Sequence, residues 1–139
     1  MKINKKLFKQ VRDHIKEEPR RLAMGVFLQG VEEGSGVNCV YDAADRVRFL
    51  SEKEVPPCGT VGCIAGWVGK LVNGTFKSTS NSADLLGITN EQSLKLFYPD
   101  SWKPKTYRKY RRSKTQIGRT RVVVGILDRI IKAGRFVNP

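Results

Sequence analysis

Histidine occurs once in this 139-residue chain, at His14, and that scarcity excludes phosphodiesterase chemistry that needs two histidines. It also leaves any nucleophilic cysteine short of the base it would normally use. Cysteine occurs three times, an odd number that suits a reducing compartment better than a disulfide framework, so no Cys58 to Cys63 bridge is expected. No apolar run reaches the length of a membrane span. The start, Met1 to Lys6, brings charge without the apolar run of a signal peptide, so the expectation is a cytosolic protein, bacterial or in an infected cell, with no membrane contact.

Clustered chemistry is scarce as well. Cys39, Cys58, Cys63 and His14 could by number hold zinc, but Cys58 and Cys63 are separated by four residues and the other two lie far away, unlike the close pairs of structural zinc sites. Free core cysteine is the expected role. Cys58 is also expected just ahead of a helix start, where the helix dipole would lower a thiol pKa. Asp42, Asp45, Asp84 and Asp100 lack the spacing of a metal-dependent nuclease. No metal, cofactor or enzymatic activity is therefore expected.

What the chain has in excess is positive charge. Its 26 Lys and Arg against 13 Asp and Glu give +13, and the imbalance is uneven. Residues 1–21 carry +5, residues 22–102 carry −3, and residues 103–139 carry +11. This distribution suggests a near-neutral packed body with a cationic surface supplied by the ends. The densest stretch holds Lys103, Lys105, Arg108, Lys109, Arg111, Arg112, Lys114, Arg119 and Arg121 with no acid, interleaved with Tyr107 and Tyr110. Arginine pairs with phosphate through two parallel hydrogen bonds and tyrosine can stack on a base, so these eleven residues form the candidate polyanion site.

The length fits one domain, residues 1–139, with residues 31–57 as an insert or loop region and residues 103–119 as the basic segment. The expected fold is mainly α, a single helical domain with a short β element near residues 37–41. Leu7, Phe8, Val11 and Ile15 have helical spacing over residues 5–18, closing before Pro19. Residues 20–30 read as helix or strand, leaning to a short helix. Glu32 to Gly36 has loop composition, and Asp42 is placed to cap a helical stretch through Val47 and Leu50.

Thr60 is expected to cap a helix whose apolar stripe is Val61, Ile64, Ala65, Val68, Leu71 and Val72, ending at Gly74. Gly62, Gly66 and Gly69 recur at i, i+4 and i+7 there, at about 1 kcal/mol each relative to alanine, which implies close approach of another backbone or a ligand. The exposed amides of that helix start offer a small phosphate a place. Residues 75–81 read as a loop and Ser82 as the cap of a short helix ending at Gly87. Thr89 to Gln92 has the form of a capping box, before a helix buried through Leu94, Leu96 and Phe97 and stopped by Tyr98-Pro99. Trp102 plugs the core edge. A last helix, Thr120 to Ala133, is expected to pack on or beside the glycine-bearing one, with Gly134 as terminator.

The order Glu18-Pro19, Leu22-Ala23-Met24-Gly25, Cys58-Gly59-Thr60-Val61-Gly62-Cys63-Ile64-Ala65-Gly66-Trp67, Ala83 to Thr89, then Leu96-Phe97-Tyr98-Pro99 and Trp102 resembles small uncharacterised proteins of bacteriophages and bacteria. The Cys-Gly-Thr to Ala-Gly stretch is its specific part. The chain departs from that pattern in a longer insert between Met24 and Cys58 and a more basic segment after Trp102. The resemblance implies a mostly helical domain and a phage origin, and carries over no functional residue.

Together these readings predict a non-enzymatic phage protein whose partner is phosphate-bearing, nucleic acid ahead of a nucleotide. The alternatives are an inhibitor that occupies a host defence protein and a pocket that sequesters a nucleotide immune messenger.

Overall fold

The computed structural model describes residues 2–30, 38–42, 46–50, 53, 55–58 and 60–139. Among them are six α-helices: α1 (Lys5–Glu17), α2 (Ile64–Asn73), α3 (Thr79–Leu86), α4 (Asn90–Phe97), α5 (Pro104–Arg112) and α6 (Gln116–Ala133). Four strands, β1 (Leu28–Gly30), β2 (Asn38–Asp42), β3 (Arg46–Leu50) and β4 (Thr60–Gly62), make two antiparallel pairs, β1 with β4 and β2 with β3. The fold is mainly α with a small β component. The segment Glu32 to Gly36, with the rest of residues 31–37 of the expected insert, lies outside the described residues.

Helix α1 forms where its apolar spacing predicts, burying Leu7, Phe8, Val11 and Ile15, and Asn4 caps it by accepting from the Leu7 amide. Its main partner is α6. Of the two expected placements, on the glycine-bearing helix or beside it, the first is not the main one: α2 lies chiefly against α3 and α1, and α6 against α1. Helix α6 also begins earlier than Thr120, at Gln116, with Thr115 as its cap. Its first turns bury polar groups, so apolar periodicity does not reveal them. Gln116 Nε2 donates to the Leu22 carbonyl at 2.6 Å and Thr120 Oγ1 to the Pro19 carbonyl at 2.6 Å.

The segment after Pro19 is not the short helix expected. A single 3₁₀ turn, Pro19–Arg21, is followed by a turn at Met24-Gly25, and the segment ends in β1. Thr60 correspondingly caps no helix: Thr60, Val61 and Gly62 pair with Gly30, Gln29 and Leu28, and Cys63 caps α2. The reason is the glycine pattern. A side chain at Gly66 would overlap the Phe27 backbone carbonyl, and a Cβ at Gly62 would stand 2.5 Å from the same oxygen. At Gly69 it would stand 2.8 Å from the Phe76 Cα. Close backbone approach was the expectation, and the bend at Phe27, just before β1, supplies it by turning its carbonyl onto Gly62 and Gly66.

Other boundaries also move. Residues 46–50 are strand, so Asp42 starts no helix through Val47 and Leu50; it pairs with Arg46 across the β2–β3 ladder. Ser78, not Ser82, caps α3, accepting from the Asn81 amide at 3.0 Å, while Ser82 is buried and donates to the Ala65 carbonyl at 2.7 Å. Leu71, Val72 and Leu94 are exposed rather than buried. The capping box forms as predicted, with Thr89 and Gln92 exchanging hydrogen bonds. Trp102 is buried at the end of this run and donates through Nε1 to the Leu96 carbonyl at 3.2 Å.

Candidate functional site

The basic segment is helical. Pro104 starts α5 at a position where its missing N–H costs nothing, and Lys and Arg are good helix formers. Lys109, Arg111 and Arg112 fall in the last turn, where cations oppose the negative end of the helix dipole. One residue anchors the helix: Tyr110, 1% exposed, stands edge-on to Trp102 with ring centroids 5.3 Å apart. The Arg119 guanidinium lies 5.1 Å from the Tyr110 ring centroid, and Arg119 Nε donates to the Ser113 carbonyl at 2.9 Å.

That geometry divides the eleven predicted residues. Tyr110 and Arg119 are buried and hold the α5–α6 corner together, so they leave the surface set. Lys103, Lys105, Arg108, Lys109, Arg111, Arg112, Lys114 and Arg121 are exposed, and Tyr107 is half-buried. With Tyr110 pointing inward, 100° per residue spreads Lys105, Arg108, Lys109, Arg111 and Arg112 over one outward arc of α5. None of these five forms an ion pair among the described residues.

Two depressions flank α5. One, of about 470 Å³, is lined by Pro104, Tyr107, Arg108, Arg111 and Arg112, and the Arg111 guanidinium sits 5.8 Å from the Tyr107 ring centroid. The other, of about 420 Å³, is a groove between α5 and α6 in which Lys105 and Lys109 face Arg121 and Arg129 across Val122 and Gly125. Arg129 was missed by the sequence reading because it lies past the acid-free block. Its helical register with Arg121, two turns away, is the signal that would have found it.

Lys103 belongs elsewhere. Its amide donates to the Pro139 carbonyl at 2.9 Å and its side chain lines a surface depression with Lys95 and Arg135.

The cysteine-and-glycine stretch lines none of these depressions. Cys63, not Cys58, sits at the helix start. It is buried, its Sγ accepts from the Gly66 amide at 3.5 Å, and burial pushes its thiol up to about 11, opposite to activation. With Ile64, Ala65 and Gly66 also buried, the first turn of α2 has no space for the phosphate its sequence suggested. Cys58 is an exposed free thiol that donates to the Thr60 carbonyl at 3.4 Å, and Cys63 is likewise unbridged. Among the described residues no group of three His, Cys, Asp or Glu converges to hold a metal ion.

His14 is packed rather than presented. Its ring meets Trp67 edge-on at 4.4 Å, and its Nδ1 lies 3.2 Å from Arg21 Nη1. Burial, then the neighbouring Arg21 charge, lowers its pKa.

No protein-family model, no curated protein and no solved structure matches this chain. Among the described residues no helix is long and apolar enough to cross a membrane.

Proposed function

We propose that this protein binds a polyanion, nucleic acid before a nucleotide, through α5, and that it does so without catalysing a reaction. The observation that carries this reading is the outward arc of Lys105, Arg108, Lys109, Arg111 and Arg112 beside the half-buried Tyr107. Like charges held on one helix face repel, and phosphates relieve that repulsion while releasing counterions. Arg111 over Tyr107 adds a planar, cationic surface of the kind on which a base stacks. The phage origin implied by the sequence resemblance fits a cytoplasmic protein that engages a host or viral nucleic acid.

The test is fluorescence anisotropy with labelled single-stranded RNA and DNA at several salt concentrations. Binding should weaken steeply with salt and depend little on sequence. The variant Arg108→Ala/Arg111→Ala/Arg112→Ala should lose most of the affinity, and its salt slope should fall by roughly 2, at about 0.7 per lost phosphate contact. Unchanged affinity in that variant would remove α5 as the site. Recovery of one host protein at fixed stoichiometry, with no oligonucleotide binding, would favour the inhibitor reading instead.

A further inference from the structure

We propose that the groove between α5 and α6 is the track for the sugar-phosphate backbone of a single strand, with Lys105, Lys109, Arg121 and Arg129 as phosphate ligands and Gly125 as its floor. This rests on the reading of α5 as a nucleic-acid helix and adds to it a location, a strandedness and residues outside the basic block.

The lining decides the chemistry. Four cations from two helices converge on one groove whose remaining walls are Thr106, Val122 and Gly125. It holds no carboxylate and no aromatic ring, so it suits phosphate and offers little to read a base. On α6 the residues Arg121, Gly125 and Arg129 follow at i, i+4 and i+8, which puts the two guanidinium-bearing positions about 12 Å apart along the axis. Lys105 and Lys109 are one turn apart on the facing helix, about 6 Å. The aromatic partner lies on the other flank of α5, where Tyr107 and Arg111 line the neighbouring depression. A cationic groove beside a stacking ring is the arrangement by which proteins hold single strands.

Gly125 supports the same reading. Gly62, Gly66 and Gly69 are each required by a backbone that touches them, whereas a Cβ at Gly125 would meet nothing within 4 Å. A glycine in a helix interior costs about 1 kcal/mol relative to alanine, and no internal contact demands it here. What it provides is space in the groove.

Two further features bear on the electrostatics of the groove. On the other side of Arg121 lies a separate depression of about 230 Å³, lined also by Lys16, Pro19, Thr120 and Val124, which brings a cation of the basic N-terminal segment beside Arg121. The single acid of α6, Asp128, is bound by Arg12 at 2.6 Å. Its charge is thereby countered on the helix that carries Arg121 and Arg129.

The experiment uses the full chain and a 5′-labelled 12-nucleotide oligo(U). Gly125→Glu places a carboxylate on the groove floor where no packing is disturbed, and it should weaken binding more than tenfold with a thermal midpoint no lower than that of wild type. Arg129→Ala should weaken it several-fold and lower the salt slope by about 0.7. Lys70→Ala removes an exposed cation on α2, away from both helices of the groove, and should leave affinity near the wild-type value. If Gly125→Glu and Arg129→Ala bind as wild type while the Arg108, Arg111 and Arg112 variant does not, the groove is excluded and the α5 reading survives. If Lys70→Ala weakens binding as much as Arg129→Ala, general charge and not the groove is responsible, and the inference fails. If the wild-type protein binds no oligonucleotide, both readings fall together.

Discussion

Arg12 Nη1 lies 2.6 Å from Asp128 Oδ1, joining positions 116 residues apart in sequence and clamping α1 to α6. Asp128 first, and Asp13 second, raise the Arg12 pKa. Both carboxylates are substantially exposed, so the ion pair contributes no more than about 1 kcal/mol to stability. Its larger consequence is electrostatic, because it counters the one negative charge on the helix that carries Arg121 and Arg129.

The glycines of α2 and α6 should respond in opposite directions to the same change. Gly66→Ala drives a methyl group into the Phe27 carbonyl and should destabilise by at least about 2 kcal/mol. Gly125→Ala meets nothing and should stabilise by up to about 1 kcal/mol. Urea unfolding curves of the two variants check both signs.

The two tyrosines of the basic segment should separate stability from binding. Tyr110→Ala removes the buried ring between Trp102 and Arg119 and should cost about 3 to 5 kcal/mol. Tyr107→Ala should cost much less stability and weaken oligonucleotide binding by about 1 to 3 kcal/mol, the range of one stacked base. Equal losses of stability at the two positions would contradict this division.

Thiol reactivity should follow the structure rather than the sequence. Iodoacetamide at neutral pH should label exposed Cys58 in the folded protein and leave Cys63 untouched until urea unfolds it. Peptide mass mapping resolves the two sites. The raised Cys63 pKa also predicts an alkaline effect. Its stabilising contribution is complete below the ordinary thiol value of 9.0 and disappears as pH rises toward about 11.

Acid should act through His14. Its folded-state pKa lies below the ordinary 6.5, because burial and Arg21 disfavour the imidazolium. Stability from this group is therefore full above 6.5 and is lost as pH falls through the lower folded value. His14→Gln should flatten the fall in thermal midpoint between about pH 7 and pH 5 relative to wild type. An identical pH profile in the variant would show that His14 does not contribute.

Local signals fixed the pieces that depend on neighbours in sequence. The apolar spacing of α1, the Thr89–Gln92 capping box, the left-handed Gly74, Gly87 and Gly134 at helix ends and the clustering of positive charge are all short-range properties. They were legible because helix periodicity and capping act over three to four residues. The mainly α fold class followed from them.

Pairing across the chain decided the rest. Whether residues 28–30 and 60–62 are helix or strand depends on their finding each other, and residues 20–30 alone satisfied either period. The start of α6 was hidden because Gln116 and Thr120 are buried through hydrogen bonds to Leu22 and Pro19, which a pattern of apolar residues does not register. Likewise the sequence supplied the charge, but packing selected which charges face outward: it turned Tyr110 and Arg119 inward and brought Arg129 to the groove beside Lys105 and Lys109. Charge is carried by each residue alone, whereas a surface exists only once helices distant in sequence lie side by side.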